Sequence, residues 1–565
     1  MPFRPQARAW PDDDRWDTRP VRARVLAVAR TLTSATRVLD VLTLLRGQDG
    51  IHLYLTVNPG SAFATGLDGF LAGLTGITVL DWREATRRRF DLAVACAVHR
   101  SMARLKAPLI VLPHGAGYNR LVTRSTGDTV SAAGLSRREL THWGRVFPAV
   151  IGLSHEEQLD RLRISCPEAL PRARVVGDPC FDRMLRSLDG RDGYRAALGA
   201  VDGRRLVVVN STWSEHSLFG RHPDLPLRLV GRLPADEYTV AVVLHPNIWA
   251  RHDPAALLAT AERSGLRLVP PDQGWQAALV AADCLIGDHG SVSFYGAALE
   301  RHTLLVATGA DELDPRSPTY AFGQAAPPLD PDGDLLTQLE QALAKPDRAA
   351  LRPITDRSLG RQGQSARLLR PLLYSYLRQV DEPDDEPRQP PYPRPVPLPT
   401  ALPGPTAYDV EGERRGTEVR LRRYPVGPDH REARGSYAVS AEEPTLALRH
   451  SAEVMARTEV RAELPAERWL ADTAAQLPGL GVAVAALGKA RHLLRLRGGL
   501  LLEAHAERPW GAATPHLDPL LLGAAVALWL ADGGDPAGLP EHGLTVRTGD
   551  RRTRVAFTRR PGQNS

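Results

Sequence analysis

The feature that most constrains this chain is a regular alternation of short apolar runs with stretches of helical period. The runs predict strands in two series: Val25–Ala29, Ile51–Val57, Ile77–Leu80, Leu92–Cys96, Leu109–Leu112 and Ala149–Leu153, then Leu206–Val209, Thr239–Leu244, Arg267–Val269, Cys284–Ile286 and Thr303–Val306. Alternation of this kind is typical of parallel sheets covered by helices on both faces. The fold class we predict is therefore α/β, with two Rossmann-like domains.

Breaks in composition divide the chain further. We predict an N-terminal Rossmann-like domain over residues 20–190 and a second one over residues 200–380, with ligands at the carboxyl ends of the strands. Residues 381–406, rich in Pro and acidic side chains, predict a semi-rigid polyproline-type linker. Residues 407–565 predict a small α+β domain of unknown role, and we find no catalytic constellation in it.

Charge and cysteine content exclude several classes of function. The net charge of +6 is small for a chain with 71 basic and 65 acidic residues, so the charge does not indicate nucleic-acid binding. It is compatible with anionic substrates or with a membrane surface. The four cysteines lie far apart without a CxxC pair, which indicates free thiols in a reducing compartment. We predict no metal and no cofactor.

The apolar segments are too short to cross a membrane. Residues 1–20 are polar and lack the apolar core of a secretory signal. The longest apolar run, Leu520 to Ala531, is about half of the roughly 20 residues that a spanning helix needs. We therefore expect a buried helix there and a cytoplasmic protein.

Polar residues follow several of the predicted strands. His114 comes after Leu109–Leu112, Thr212 after Leu206–Val209, and His245 after Thr239–Leu244. The strand Cys284–Ile286 leads into a turn and then a helix, with Ser291 as a candidate for its cap or first turn. A helix N-terminus exposes free N–H groups and positive potential, which suits a phosphate.

Five short segments stand in a fixed order: Pro113-His114-Gly115, Gly177-Asp-Pro179-Cys-Phe-Asp182, Ser211-Thr212-Trp213, Leu244-His245-Pro246 and Gly287-Asp288-His289-Gly290-Ser291-Val292-Ser293-Phe294. Together they resemble the CDP-glycerol glycerophosphotransferase family, which includes teichoic-acid polymerases. The resemblance covers about residues 90 to 310. It departs from the family pattern at Cys180, Gly290 and Tyr295 and in the residues after Gly115.

The resemblance implies a GT-B fold, with the acceptor mainly on the first domain and the nucleotide donor mainly on the second. It implies His114 as the base and His245 as a group that stabilises the pyrophosphate. Substrate contacts are expected from a set of loop residues: Gly115, Thr212, Asp288, His289, Gly290, Ser291 and Ser293. The implied reaction moves a glycerol-phosphate-like group from a CDP-activated donor to a hydroxyl acceptor in cell-surface polymer synthesis, near the inner face of the membrane.

The sequence is compatible with two other functions. The same architecture serves UDP-sugar glycosyltransferases and 2-epimerases, which also carry a late Asp-x-Gly-Ser/Gly turn. The altered motifs are also compatible with a non-catalytic relative, in which the linker and the C-terminal domain bind partners. A preference for cytidine or for uridine distinguishes the first two functions. The third predicts that His114 and His245 lie apart or face away from the cleft.

Overall fold

Parallel strands form two separate sheets, and the first has seven strands. The computed structural model describes residues 20–45, 50–61, 67–121, 131–345, 347–398, 404–426, 435–507 and 516–560. In chain order the strands of the first domain are β1 (Ala23–Ala29), β2 (Ile51–Val57), β3 (Thr78–Leu80), β4 (Leu92–Ala95), β5 (Leu109–Val111), β6 (Thr141–His142), β7 (Arg145–Val146), β8 (Val150–Leu153) and β9 (Ala173–Val175). The sheet order is β3-β2-β1-β4-β5-β8-β9, and β6 and β7 form a separate hairpin.

The second sheet repeats the same winding with five strands. These are β10 (Arg205–Ser211), β11 (Tyr238–Leu244), β12 (Arg267–Val269), β13 (Cys284–Gly287) and β14 (His302–Leu305), in the order β12-β11-β10-β13-β14. All pairs are parallel, and the register places Val207 opposite both Val240 and Cys284. The prediction of two parallel, doubly wound sheets is confirmed.

Helices cover both faces of each sheet. Those of the first domain are Leu32–Leu42, Leu67–Ala72, Trp82–Arg87, Arg137–Leu140, Glu157–Ser165, Pro179–Arg186 and Arg191–Ala197. Those of the second series are Leu218–Arg221, Leu225–Arg232, Pro246–Trp249, Pro254–Arg263, Trp275–Ala281, Ser291–Ala298, Pro318–Ala325, Leu335–Ala344, Arg352–Thr355 and Ser365–Tyr374. The strands are therefore buried on both sides, which explains their continuous apolar runs.

The last helix of this series returns to the first domain. Leu369 and Leu373 of Ser365–Tyr374 pack with Val25 and Val38 in the core of the first sheet. The second domain was predicted to run to residue 380, but this helix belongs to the packing of the first. The chain thus crosses between the two sheets a second time before residue 380.

The C-terminal part is a closed barrel, and the predicted small α+β domain is wrong. Its strands are β15 (Ala407–Arg415), β16 (Glu418–Pro425), β17 (Ser436–Ser440), β18 (Val454–Arg457), β19 (Val482–Ala486), β20 (Arg491–Leu496), β21 (Leu501–Ala506), β22 (Leu544–Thr548) and β23 (Arg551–Arg559). They close in the order β15-β16-β22-β23-β21-β20-β19-β18-β17. The strand pairs β20–β21 and β22–β23 are antiparallel hairpins. The sequence pattern did not reveal the closure, because it depends on parallel pairing of Glu418–Arg420 with Thr545–Arg547.

A helix that is apolar all round fills the barrel. Helices in this part are Leu446–His450, Ala466–Gln476, Pro519–Ala531 and Leu539–His542. Residues of Pro519–Ala531 meet residues from all nine strands in one buried cluster, so this helix lies against the inner face. A side chain at Gly523 would come within 2.4 Å of Val454, which shows how closely the helix approaches the strands. Among the described residues, no helix is long and apolar enough to span a membrane.

The proline-rich segment is docked on both α/β domains along most of its described length. Tyr392 is 7% exposed; its hydroxyl donates to Asp40 Oδ2 at 3.1 Å, and its carbonyl accepts from the Tyr194 hydroxyl at 2.6 Å. The Leu398 N–H donates to the Leu268 carbonyl at 2.7 Å on edge strand β12. Residues 383–398 thus form a strap across the two domains, while 399–403 lie outside the described residues.

This docking predicts resistance to proteolysis. Trypsin should cut slowly after Arg388 in the native wild-type chain and much faster in Tyr392→Ala, because the substitution removes the buried ring that holds the strap and lowers the free energy of local opening. The matched control is Tyr437→Ala, a half-buried tyrosine of the barrel. Mass spectrometry measures the rate of cleavage after Arg388. Equal rates in all three proteins would contradict a docked strap.

Candidate functional site

The carboxyl ends of strands from both sheets meet at one cleft. His114 stands three residues after β5, while His245 directly follows β11. In the second sheet the winding reverses between β10 and β13, and the loops after these two strands carry Thr212 and Asp288. Ligands of open α/β sheets bind in the crevice at such a reversal.

The two domains touch where the loop that carries His114 meets the helix Ser291–Ala298. The Ala116 N–H donates to Ser291 Oγ at 3.3 Å. A Cβ atom on Gly115 would lie only 2.5 Å from the same oxygen, so a larger residue at 115 would push the loops apart. Gly115 is therefore a packing requirement of the cleft.

His114 is a neutral imidazole at physiological pH. Its side chain is open to the cleft, but the surrounding protein limits its hydration. Desolvation, together with the charges of Arg37 and Arg120, lowers the pKa of His114 to about 4, although a hydrogen bond to the backbone at Cys96 acts in the opposite direction. A neutral ring with one nitrogen engaged by the backbone keeps the other nitrogen available as a proton acceptor.

His245 is also neutral, and its tautomer is fixed by the helix that it caps. The Asn247 N–H donates to His245 Nδ1 at 3.1 Å, so the ring proton is on Nε2. Burial lowers the pKa of His245 to about 3, and the neighbouring His114 and Arg120 contribute. His114 is thus near enough to affect the pKa of His245, although the two residues come from different sheets.

Asp288 does not reach the cleft, although we predicted a substrate contact for it. Its side chain is fully buried and accepts four hydrogen bonds, from the Ser211 hydroxyl and from the N–H groups of Thr212, Leu218 and Gly290, at 2.9 to 3.1 Å for the shortest contact of each. With both oxygens occupied, Asp288 orders the loops after β10 and β13. It is a positioning residue.

Two further predicted contacts are turned inward. Ser293 is fully buried, and its hydroxyl donates to Asn210 Oδ1 at 2.8 Å beneath the helix. His289 is 4% exposed, with its Nε2 at 3.0 Å from Glu312 Oε2. Neither side chain is placed to contact a ligand in the cleft, so these two predictions are corrected.

Thr212, Gly290 and Ser291 remain at the cleft together with Gly115. Gly290 precedes the helix Ser291–Ala298 in extended conformation and has no side chain to cap it. The N–H groups of the first helical turn therefore lack a side-chain cap and leave positive potential at this point. All three residues are partly exposed.

Arg37, which sequence analysis did not single out, holds the loop that carries His114 through buried hydrogen bonds. It is 7% exposed; its Nε donates to the His114 carbonyl at 3.2 Å, and a terminal nitrogen donates to the Tyr295 hydroxyl at 3.3 Å. That hydroxyl donates to Asp178 Oδ2 at 2.6 Å. The available signal was a charge on the apolar face of Leu32–Leu42, beside Val38 and Val41.

Arg120 was also missed, and it bridges the domains on the other side of the histidines. It donates to Glu312 Oε1 at 2.9 Å, and its guanidinium lies 4.1 Å from the Trp213 ring centroid. The Leu121 N–H donates to the Glu312 carbonyl at 2.9 Å. A positive charge is thereby held beside both imidazoles.

Comparison with known proteins gives structural neighbours only. The chain matches no protein-family model and no curated protein sequence. It is similar in structure to the wall teichoic acid polymerase TagF, with 14% identity over 63% of this chain and 89% of that chain and a TM-score of 0.45. It is also similar to a UDP-GlcNAc 2-epimerase from Neisseria meningitidis bound to UDP-GlcNAc, with 12% identity over 63% and 99% of the two chains and a TM-score of 0.40.

The placement of Asp288 predicts a loss of stability on substitution. Asp288→Asn should lower the free energy of unfolding by about 1–3 kcal/mol, because an amide cannot accept at both positions and leaves buried donors unpaired. Asp311→Asn, which changes the charge equally at an exposed position, is the control. Urea unfolding monitored by tryptophan fluorescence measures the difference, and identical midpoints for the two variants would contradict the positioning role.

Proposed function

We propose that this chain is a transferase that moves a glycerol-phosphate-like group from a CDP-activated donor to a hydroxyl acceptor. One observation carries the proposal: two neutral histidines, His114 and His245, meet at the carboxyl ends of two parallel sheets beside an uncapped helix N-terminus. The order of the sequence motifs supports the choice of donor. A metal is not part of the proposed mechanism.

In the proposed reaction, the acceptor oxygen attacks the phosphorus that carries the glycerol group. A new P–O bond forms, the bond to the bridging oxygen breaks, and CMP leaves with the electron pair. The acceptor proton goes to the free ring nitrogen of His114, which acts as the general base. Negative charge on the leaving phosphate increases during this step.

The second domain stabilises that charge. His245 carries its proton on Nε2 and acts as a neutral hydrogen-bond donor to the pyrophosphate, while the first turn of Ser291–Ala298 adds backbone N–H groups. Gly115, Thr212, Gly290 and Ser291 line the donor. Arg120 supplies positive potential beside both rings, and Arg37 holds the His114 loop in place.

The proposed acceptor is a hydroxyl-bearing molecule used in cell-surface polymer synthesis, and the proposed place of action is the inner face of the membrane. This part rests on the motif resemblance. A UDP-sugar transferase or 2-epimerase is the alternative function, and the choice between the two depends on the base of the nucleotide.

Calorimetric titration tests the donor. The wild-type chain should bind CDP and CDP-glycerol at least tenfold more tightly than UDP and UDP-GlcNAc. His245→Ala should bind the cytidine compounds at least tenfold more weakly, because one hydrogen bond to a charged phosphate is worth about 1.5–3 kcal/mol. His252→Ala, which changes an exposed histidine of the same domain, is the matched control.

Three results of the titration would contradict parts of the proposed function. A preference for uridine would replace the proposed donor by a UDP-sugar. Equal affinity in His245→Ala and His252→Ala would remove His245 from the site. Failure of every nucleotide to bind the wild-type chain would contradict both enzyme functions.

The lowered pKa of His114 predicts an unusual pH profile. Because the free enzyme holds this base neutral down to a pKa of about 4, kcat/KM should stay flat as pH falls through 6.5 and should decline only near pH 4. A stopped assay of CMP release between pH 4 and 8 measures the profile. An acidic limb at about 6.5, the ordinary pKa of histidine, would contradict the environment assigned to His114.

His114→Ala should reduce kcat by about 10²–10⁴-fold and leave donor affinity within threefold of wild type, as expected for loss of a general base. Equal losses of kcat and of donor affinity in this variant would point to a binding role instead.

A further inference from the structure

A second cavity lies between the second sheet and the barrel. Its volume is about 340 Å³. The α/β side contributes Arg204, Tyr238, Thr239, Ser264 and Arg267, and the barrel side contributes Tyr408, Arg423, Thr548, Arg551 and Thr553. Pockets for small molecules in proteins begin at about 300 Å³, so this cavity is large enough for a compact ligand.

The cavity is separate from the histidine cleft. Tyr238 and Thr239 line it at the start of β11, whereas His245 follows the other end of the same strand. At about 3.3 Å per residue, seven strand residues separate the two positions by roughly 20 Å. One ligand the size of a monophosphate cannot occupy both.

Most charges on the wall are paired within the protein. Arg423 forms ion pairs with Asp236 at 2.7 Å and with Asp518 at 2.5 Å. Arg551 pairs with Asp202 at 2.9 Å. These three carboxylates are therefore occupied by guanidinium groups of the barrel.

Arg204 and Arg267, which also line the cavity, are not paired in this way. Neither side chain forms a hydrogen bond or an ion pair with any residue in the part of the chain that the structure describes, and both are half-buried. Burial lowers the pKa of Arg267, and the nearby charge of Arg204 lowers it further. Two neighbouring positive charges repel each other when no carboxylate among the described residues is paired with either of them, and the three carboxylates of the cavity wall are paired with Arg423 and Arg551.

An anion between them would remove this repulsion. A phosphate monoester carries about −1.5 to −2 at neutral pH and has three acceptor oxygens, which matches two guanidinium forks. Hydroxyl donors lie on both sides of the cavity, from Ser264 at the end of the helix Pro254–Arg263 and from Thr548 and Thr553 on the barrel. A carboxylate carries only one charge and balances the pair less well.

We propose that this cavity is a binding site for a small phosphate-bearing molecule, with Arg204 and Arg267 as its phosphate ligands. The barrel completes the site. This assigns the barrel a role that is independent of the reaction proposed for the cleft.

Calorimetric titration of the full chain with phenyl phosphate, inorganic phosphate and benzoate tests the site. The wild-type chain and His114→Ala/His245→Ala should both bind one phenyl phosphate, because the cleft histidines are not involved. Arg204→Gln/Arg267→Gln should bind it at least tenfold more weakly. Arg263→Gln/Arg468→Gln, which removes two charges at exposed positions, should bind it as the wild type does, and benzoate should bind at least tenfold more weakly than phenyl phosphate.

Several results would overturn the proposal: no saturable binding of either phosphate probe to the wild-type chain, loss of binding in the histidine variant, unchanged binding in Arg204→Gln/Arg267→Gln, or equal binding of benzoate. If the double arginine variant does not fold by circular dichroism, each single variant replaces it. Arg204→Gln and Arg267→Gln are each expected to weaken phenyl phosphate binding at least threefold, and unchanged binding in both would contradict the site.

Discussion

The buried carboxylate of Asp288 is the interaction on which the cleft depends. It accepts hydrogen bonds from the loop after β10, from the start of the next helix and from its own turn. A charged group without water is tolerated only when such donors surround it. The two loops at the reversal of the second sheet are thereby held in one arrangement, and the helix Ser291–Ala298 begins at a defined point against the first domain.

The first domain meets this point through a second set of buried contacts. Arg37 connects the His114 loop to Tyr295, and through its hydroxyl to Asp178. Arg120 connects the other side of the cleft to Glu312. The strap around Tyr392 and the returning helix Ser365–Tyr374 cross between the domains as well. The relative position of His114 and His245 therefore results from packing at several places, each far from the others in sequence.

Local pattern was enough to predict the parallel sheets and the strand-end positions of His114 and His245, because a strand end is visible where an apolar run stops. It did not show which way turn residues face. Asp288 and Ser293 lie in the predicted turn, but their donors and acceptors are Thr212 and Asn210, more than 70 residues away. The barrel was missed for the same reason, since its closure requires β16 to pair with β22 across more than 100 residues.

A crystal structure of the chain with CDP tests directly whether the histidine cleft holds a nucleoside diphosphate. We expect the diphosphate to lie between the His114 loop and the first turn of Ser291–Ala298, with His245 Nε2 within hydrogen-bond distance of a phosphate oxygen. CDP bound elsewhere, including the arginine cavity beside the barrel, with an empty cleft would contradict this expectation.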